Sequence, residues 1–272
     1  MIERIDNVII LGRGVPEQIK DGRITVCVAG WCESRGFIRI YPSRIDSPLK
    51  SWNIVSVEVE RNPKDSRHES WKFPDSRTGW QNINQHIEVT GCVGREHRIG
   101  LLDMLKSKCV SDINERRDSL GIIKPVVLRS YLAPNQMYME AHQPLFDFME
   151  HSGIKVKRDH MAEPRLSFLC GDECRVKHNH DMQLLEWGAY VWIANNPENM
   201  QQVWQNMGIG SDEWAHYFVV GNQANHRTSY MVINVLRQKT AMFQPTLILV
   251  RKYRDSAIRS GKFPSGRVTL AA

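Results

Sequence analysis

The sequence predicts an α+β protein with a β-rich N-terminal part, a helical connector and a C-terminal β-loop-α-α-β-β module that contains a Cys/His knuckle. Three patterns lead to this prediction. Short alternating apolar runs dominate the first 95 residues, helical spacing follows, and a Cys/His loop near residue 170 separates a strand-like from a helix-like segment. We therefore predict domains at 1–95, 96–162 and 163–272, and the two end domains could share one core.

The strand and helix predictions follow from apolar periodicity. Asn53–Glu60 alternates strictly between polar and apolar residues, and Gly36–Tyr41 alternates until a proline interrupts it. Glu96–Lys108 has apolar residues at helical spacing. Ile122–Leu132 reads as an edge strand because it contains a proline. Asn135–Ser152 is predicted to be a further helix.

The C-terminal domain is predicted to begin with a strand, Arg165–Leu169, that leads into the Cys/His loop. Asp181 is a suitable N-cap for a helix to about residue 194, and Pro197 opens a second helix. His216–Val220 and Ser229–Leu236 then predict a β-hairpin with a long polar connection.

Composition is that of a globular protein. The chain has 272 residues, of which 42% are hydrophobic and 24% charged, so it can bury a core. Its apolar runs have the length of strands, which argues against a membrane partner, and the N-terminus lacks the pattern of a secretory signal. We expect a cytoplasmic location, in which cysteines are reduced or bind metal rather than form disulfides. The six cysteines are Cys27, Cys32, Cys92, Cys109, Cys170 and Cys174.

The Cys/His loop offers candidate metal ligands at short spacing. Cys170 and Cys174 are four residues apart, His178 follows four residues later, and His180 lies two residues beyond. Little chain entropy separates ligands in so short a loop. Thiolate and imidazole together suit zinc, which prefers four tetrahedral ligands in structural sites. We therefore predict structural zinc bound by these four residues.

Several alternatives remain open at this loop. The fourth ligand could be His180 or a cysteine from elsewhere, namely Cys27, Cys32, Cys92 or Cys109. An iron–sulfur cluster is less expected because it usually uses more thiolates. A catalytic zinc ion would need an open position and a general base, for which Glu173 is the one well-placed acid. The cysteines could also be an ordinary reduced pair near a polar turn.

A basic and aromatic strand is the candidate nucleic-acid surface. Phe37, Arg39 and Tyr41 share one face of Gly36–Tyr41, and two aromatic rings around a guanidinium would stack on bases and contact phosphate. Burial of both strand faces, with Arg39 at a rim, is the alternative. A net charge of +6 favours a polyanionic partner such as DNA. The predicted nucleic-acid-binding residues are Arg35, Phe37, Arg39, Tyr41, Arg44, Arg251, Lys252 and Arg254.

A polar loop after the strictly alternating strand offers candidate catalytic residues. Asp65, Arg67 and Glu69 lie in this loop, and Glu58 and Glu60 lie on the preceding strand. Their carboxylates could bind a divalent ion, as metal-dependent nucleases require. A solvated, ordered loop is the simpler reading.

Two stretches resemble an uncharacterised group of bacterial and archaeal proteins. The first is Val26–Pro42, with its Ile-Arg-Ile-Tyr-Pro strand, together with Asp65–Lys72. The second is Phe168–Trp187, with a Cys-x3-Cys-x3-His loop before a Trp-bearing helix, together with Tyr217–Asn222 and His226–Val235. The resemblance implies one co-evolved unit, often encoded near mobile-element or defence genes, and no established activity. The sequence departs from the pattern at Glu186-Trp187-Gly188, where an acid more often flanks the tryptophan on both sides.

Three functions fit these observations. The first is a nucleic-acid-binding accessory protein with a structural zinc site, in a prokaryotic antiviral defence or mobile-element system. The second is a metal-dependent enzyme that acts on nucleotides or nucleic acid. The third is a protein-interaction subunit of a larger complex, with an exposed aromatic surface that a partner covers.

Overall fold

The first 92 residues fold as a sheet in which five strands close into a barrel. The structure, a computed structural model, describes residues 1–141, 154–171 and 174–240. The strands of this part are β1 (Ile2–Arg13), β2 (Glu17–Gln18), β3 (Ile24–Cys32), β4 (Gly36–Ser43), β5 (Asn53–Arg61), β6 (Ser70–Lys72) and β7 (Ile87–Cys92), with a 3-10 helix at Trp80–His86 before β7.

The barrel closes because β1 pairs with two strands. The order around it is β1, β3, β4, β6 and β5, and β5 pairs back with β1. All of these pairings are antiparallel except that of β4 with β6. The inward-facing residues of the alternating strands fill the barrel, among them the fully buried Val28, Ile38 and Val57. Burial of each such side chain stabilises the fold by about 1.5–3 kcal/mol.

The rest of the described chain forms two further sheets with short helices. A three-stranded sheet has the order β10, β11, β12, and a four-stranded sheet has the order β14, β13, β9, β8. The elements are α1 (Arg95–Leu105), β8 (Lys106–Ser107), α2 (Val110–Glu115), β9 (Leu120–Ile123), β10 (Val126–Pro134), α3 (Gln136–Ala141), β11 (Ala162–Leu169), β12 (His180–Gln183), α4 (Trp187–Asn195), α5 (Val203–Asn206), β13 (Trp214–Gln223) and β14 (His226–Lys239), with 3-10 helices at Lys157–Asp159 and Pro197–Gln202.

The four-stranded sheet packs against the outer face of the barrel. Ile9 and Leu11 of β1 and Ala29 of β3 share a buried cluster with Tyr217 and Val219 of β13. Another cluster lies under α4 and α5 and includes two of the cysteines. The barrel and the four-stranded sheet therefore share a buried cluster.

The middle of the chain differs from a helical connector. It contains α1 and α2, but β9 and β10 within it join the C-terminal sheets. The predicted strand at Ile122–Leu132 is two strands that separate at Pro125. The predicted helix at Asn135–Ser152 begins at Gln136, with the Asn135 side chain accepting the Met137 N–H at 3.1 Å, and is described to Ala141.

The helix predicted to begin at Asp181 begins instead at Trp187. Residues His180–Gln183 form β12, which pairs with β11 and places Ser167 opposite Asp181. The Asp181 carboxylate accepts a hydrogen bond from Arg165 at 2.9 Å. Tertiary pairing thus overrides the local capping preference.

The predicted hairpin is formed by β13 and β14. The two strands extend to Gln223 and His226, so the turn between them is short instead of the long polar connection that the sequence predicted.

Among the residues that the structure describes, no helix is long and apolar enough to cross a lipid bilayer. The basic C-terminal residues Arg251, Lys252 and Arg254 lie outside the described residues.

Candidate metal centre

Four potential metal ligands converge from separate parts of the chain. Cys109 precedes α2, Cys170 follows β11, Cys174 lies in the connection to β12, and His180 is the first residue of β12. One ligand atom from each lies within 4.8 Å of the other three. Pairing of β11 with β12 and packing of α2 against the C-terminal sheet bring these ligands together.

The spacing of the ligand atoms matches a tetrahedral zinc site. The Cys109 and Cys174 sulfurs are 4.0 Å apart, and His180 Nε2 is 3.7 Å from the former and 3.5 Å from the latter. Metal bonds of about 2.3 Å to sulfur and about 2.0–2.1 Å to nitrogen place tetrahedral ligands about 3.6–3.8 Å apart. These three separations are close to those around one tetrahedral metal ion, and the Cys170 sulfur lies within 4.8 Å of the same atoms.

Local backbone geometry supports this arrangement. Gly171 has a φ of +86°, a conformation that glycine adopts without steric cost, and its carbonyl accepts the N–H of Cys174 at 3.3 Å. Arg175 then pairs with Asp112 and Glu115 of α2 at 3.1 and 2.7 Å. These exposed ion pairs contribute little energy, but they orient the loop toward the helix that follows Cys109.

The site is largely shielded from water. Cys109 is fully buried and Cys170 is 8% exposed. The His180 ring packs against the buried Phe168 ring, with centroids 5.3 Å apart. Burial lowers the pKa of His180, so its imidazole is neutral near pH 7, which is the form that binds metal.

The thiols differ in how easily they ionise. Burial raises the pKa of Cys170 well above its ordinary value, and the neighbouring Cys109 and Cys174 raise it further. Burial also opposes ionisation of Cys109, but the backbone N–H groups of Arg175 and Ser111 outweigh it and lower the Cys109 pKa. Cys170 would therefore ionise only beside a cation that balances the charge of the clustered sulfurs.

One of the cysteines that the sequence offered as a fourth ligand belongs to the group, whereas one of the predicted ligands does not. Cys109 completes the group, whereas His178 is exposed and is not a member. Cys27 contacts Arg39, Cys32 lies in the barrel core and Cys92 is exposed. All six cysteines lie within the described residues, and none of them forms a disulfide. Glu173 lies outside the described residues.

Arg39 is not on an accessible surface. Its side chain is only 4% exposed, because the four-stranded sheet covers this face of β4. The guanidinium donates to the Ser119 carbonyl at 2.9 Å and contacts the Cys27 sulfur at 3.2 Å. Arg39 therefore links the barrel to the residue before β9. Both faces of β4 include buried residues, as the alternative expected, but Arg39 lies inside the interface rather than at a rim.

The other predicted nucleic-acid-binding residues near β4 lie in environments that differ from that of Arg39. Phe37 packs against the cluster between barrel and sheet, and Tyr41 is half-buried with its hydroxyl 3.5 Å from that of Thr25. Arg44 pairs with Asp46. Arg35 is exposed, pairs with Glu3 at 2.7 Å and lies over the Trp71 ring at 5.8 Å. Of these β4-region residues, Arg35 is the most accessible.

The predicted catalytic carboxylates do not form one group within the described residues. Glu58 contacts His86 at 2.9 Å and Glu60 pairs with Lys72. Asp65 and Arg67 form an ion pair in which both side chains are 8% exposed, and Arg67 also donates to the Asn222 carbonyl at 2.7 Å. This pair links the loop after β5 to the end of β13, which is a structural role.

The Asp65–Arg67 pair predicts a specific acid sensitivity. Burial opposes ionisation of Asp65, but hydrogen bonds from Arg67 and Ser70 outweigh it and hold the Asp65 pKa at about 2, below the ordinary 3.8. A carboxylate with a depressed pKa stabilises the fold above its unfolded-state value, and this contribution disappears as the pH falls through its folded-state value. We expect about 2 kcal/mol of unfolding free energy to depend on this group.

Urea unfolding of the wild type and Asp65→Asn between pH 6 and pH 2 measures this contribution. The stability gap between them should shrink by about 2 kcal/mol as the pH falls. A gap that stays constant over this range would show that Asp65 ionises normally in the folded protein.

Comparison with known proteins finds a family match over part of the chain. A family model described as a domain of unknown function (DUF8758) matches residues 4–102, which include the barrel and most of α1. The match contains the first of the two stretches that resemble an uncharacterised group, while the second stretch and all four residues of the Cys/His cluster lie beyond it. No curated protein matches the chain.

Proposed function

We propose that this chain is a nucleic-acid-binding accessory protein with a structural zinc ion held by Cys109, Cys170, Cys174 and His180. The observation that supports this most strongly is that the four ligand atoms converge within 4.8 Å, and three of them have separations close to those of a tetrahedral zinc site. Four protein ligands complete the coordination of zinc, which is typical of structural rather than catalytic sites. An iron–sulfur cluster usually uses more thiolates than the three in this group.

The zinc ion would connect elements that are distant in sequence. Cys109 fixes the start of α2, while the other three ligands fix the connection between β11 and β12. Binding energy at such a site is folding energy, because an unfolded chain does not hold the ligands together.

Elemental analysis of the purified protein tests the site. We expect about one equivalent of zinc in the wild type, and loss of zinc in Cys170→Ser/Cys174→Ser, because thiolates are the zinc ligands. Cys92→Ser is the matched control, since Cys92 is exposed and outside the cluster. Iron in place of zinc, or no metal in the wild type, would contradict the proposal.

Two features support a nucleic-acid partner. The strand order of the barrel, with one parallel pair, is that of OB-type barrels, whose loops and second and third strands often bind oligonucleotides. The net charge of +6 favours a polyanion. The four-stranded sheet covers the outer face of β3 and β4. Contacts with a nucleic acid would therefore lie at the loop between β5 and β6.

Cationic side chains surround this loop. Arg61 lies over the Trp71 ring at 3.7 Å and donates to the His68 carbonyl, while Arg35 lies over the same ring. Lys64 is exposed within the loop. Arg35, Arg61 and Lys64 would contact backbone phosphates, with Arg35 exchanging its ion pair with Glu3 for a phosphate. Such contacts position a nucleic acid without reading its sequence.

Binding to a single-stranded oligonucleotide at several salt concentrations tests this surface. We expect log affinity to fall linearly with log salt, with a slope of about −0.7 per phosphate contacted. Arg35→Ala and Lys64→Ala should each weaken binding and reduce the slope by about 0.7. Lys50→Ala, at an exposed position before β5, is the control. Undetectable binding at low salt would contradict the proposal and favour a protein-interaction subunit.

A further inference from the structure

We infer that His68, Glu69 and Asp118 form a second metal site, which takes a divalent cation such as Mn²⁺ where the barrel meets the C-terminal sheet. His68 and Glu69 precede β6, and Asp118 lies shortly before β9. One ligand atom of each residue lies within 4.8 Å of the other two. His68 Nδ1 is 3.5 Å from Glu69 Oε2, and His68 Nε2 is 4.0 Å from Asp118 Oδ1.

Each carboxylate is oriented by a donor on one of its oxygens. Glu69 Oε1 accepts the Ser119 N–H at 2.5 Å, and Asp118 Oδ2 accepts the Arg116 Nε–H at 2.8 Å. The remaining oxygens, Glu69 Oε2 and Asp118 Oδ1, are those near the His68 ring. Metal-binding carboxylates are commonly held in this way by hydrogen bonds on the side away from the ion.

Glu69 is a buried group whose second oxygen lacks a hydrogen bond. The residue is 4% exposed, and its Oε2 atom is buried and accepts no hydrogen bond from the part of the chain that the structure describes. A buried acceptor without a donor costs about 1–3 kcal/mol, and more for a charged group. A cation between Glu69, Asp118 and His68 would remove this cost.

The backbone around the site is firmly held. The Tyr230 hydroxyl donates to the Asp118 carbonyl at 2.5 Å, and the Arg39 guanidinium donates to the Ser119 carbonyl. The two carboxylates therefore keep their separation. The His68 side chain is 67% exposed and can rotate toward an ion.

The donor set indicates the type of ion. Two carboxylates and one imidazole suit divalent ions such as Mn²⁺, whereas the cluster of three cysteines and one histidine suits zinc. Three protein ligands leave coordination positions open, and the exposure of His68 gives water access to them. The site shares no residue with the zinc centre. Its three residues are also distinct from Arg35, Arg61 and Lys64, although His68 and Glu69 lie in the same loop as Lys64.

Titration of the zinc-loaded full-length protein with Mn²⁺, followed by electron paramagnetic resonance of the free ion, tests the inference. We expect one equivalent to bind to the wild type. Glu69→Gln keeps an oxygen that can accept the Ser119 N–H but removes the charge, and it should weaken binding by about tenfold or more. His68→Ala, at an exposed position, should weaken binding similarly without unfolding the chain.

Glu58→Gln is the matched control, because it removes a carboxylate from another Glu–His pair on the same barrel. It should bind Mn²⁺ as the wild type does. The inference is overturned if the wild type binds no Mn²⁺ at millimolar concentration, or if Glu69→Gln and His68→Ala both bind it as the wild type does.

Discussion

His180→Asn is expected to release zinc and to lower the free energy of unfolding by several kcal/mol, whereas His178→Asn should change neither. His180 Nε2 lies within 3.7 Å of two cysteine sulfurs, while His178 is exposed and outside the group. Structural zinc contributes about 10–16 kcal/mol in zinc-finger peptides, so loss of one ligand should have a large effect.

The two histidine variants form a matched pair in the same loop. Chemical denaturation measures their stability, and a chromophoric chelator measures how fast each releases zinc. We expect fast zinc release, and unfolding at a lower denaturant concentration, for His180→Asn alone. Equal effects of the two substitutions would mean that His178 also binds the ion, as the sequence alone suggested.

Arg67→Met should destabilise the protein by about 3–5 kcal/mol, since it leaves the Asp65 carboxylate buried without its partner. Asp65→Asn should have a similar effect. The Asp65→Asn/Arg67→Met double variant should cost much less than the sum, because it removes both charges together. Urea denaturation at pH 7 of the four proteins gives the coupling energy directly.

An exposed pair on the same barrel provides the control for this cycle. Arg44 and Asp46 pair at 2.6 Å with the same two-residue spacing, but their side chains are 20% and 59% exposed. Breaking this pair should cost about 0–1 kcal/mol. Equal costs for the two pairs would show that burial does not determine the strength of the Asp65–Arg67 interaction.

The Cys/His cluster was partly predictable from the sequence because three of its four residues are local. Cys170, Cys174 and His180 lie within one short loop, and their residue types indicate zinc. Cys109 was one of four candidate cysteines, and only the packing of α2 beside this loop distinguishes it. His178 had suitable spacing, but the turn before β12 exposes it.

Long-range packing explains the errors at other sites. Alternation correctly separated the faces of β4, but it could not reveal that a sheet formed by β8, β9, β13 and β14 would cover the face that contains Arg39. Likewise, Glu69 was a candidate from its loop alone, while its neighbour Asp118 comes from a distant part of the chain. Contacts of this kind leave no periodic pattern in a single sequence.

X-ray absorption spectroscopy at the zinc edge of the purified protein identifies the metal ligands. We expect a coordination shell of three sulfurs at about 2.3 Å and one nitrogen at about 2.0–2.1 Å. A shell of two sulfurs and two nitrogens would contradict it, since that is the set expected if Cys170, Cys174, His178 and His180 alone held the ion.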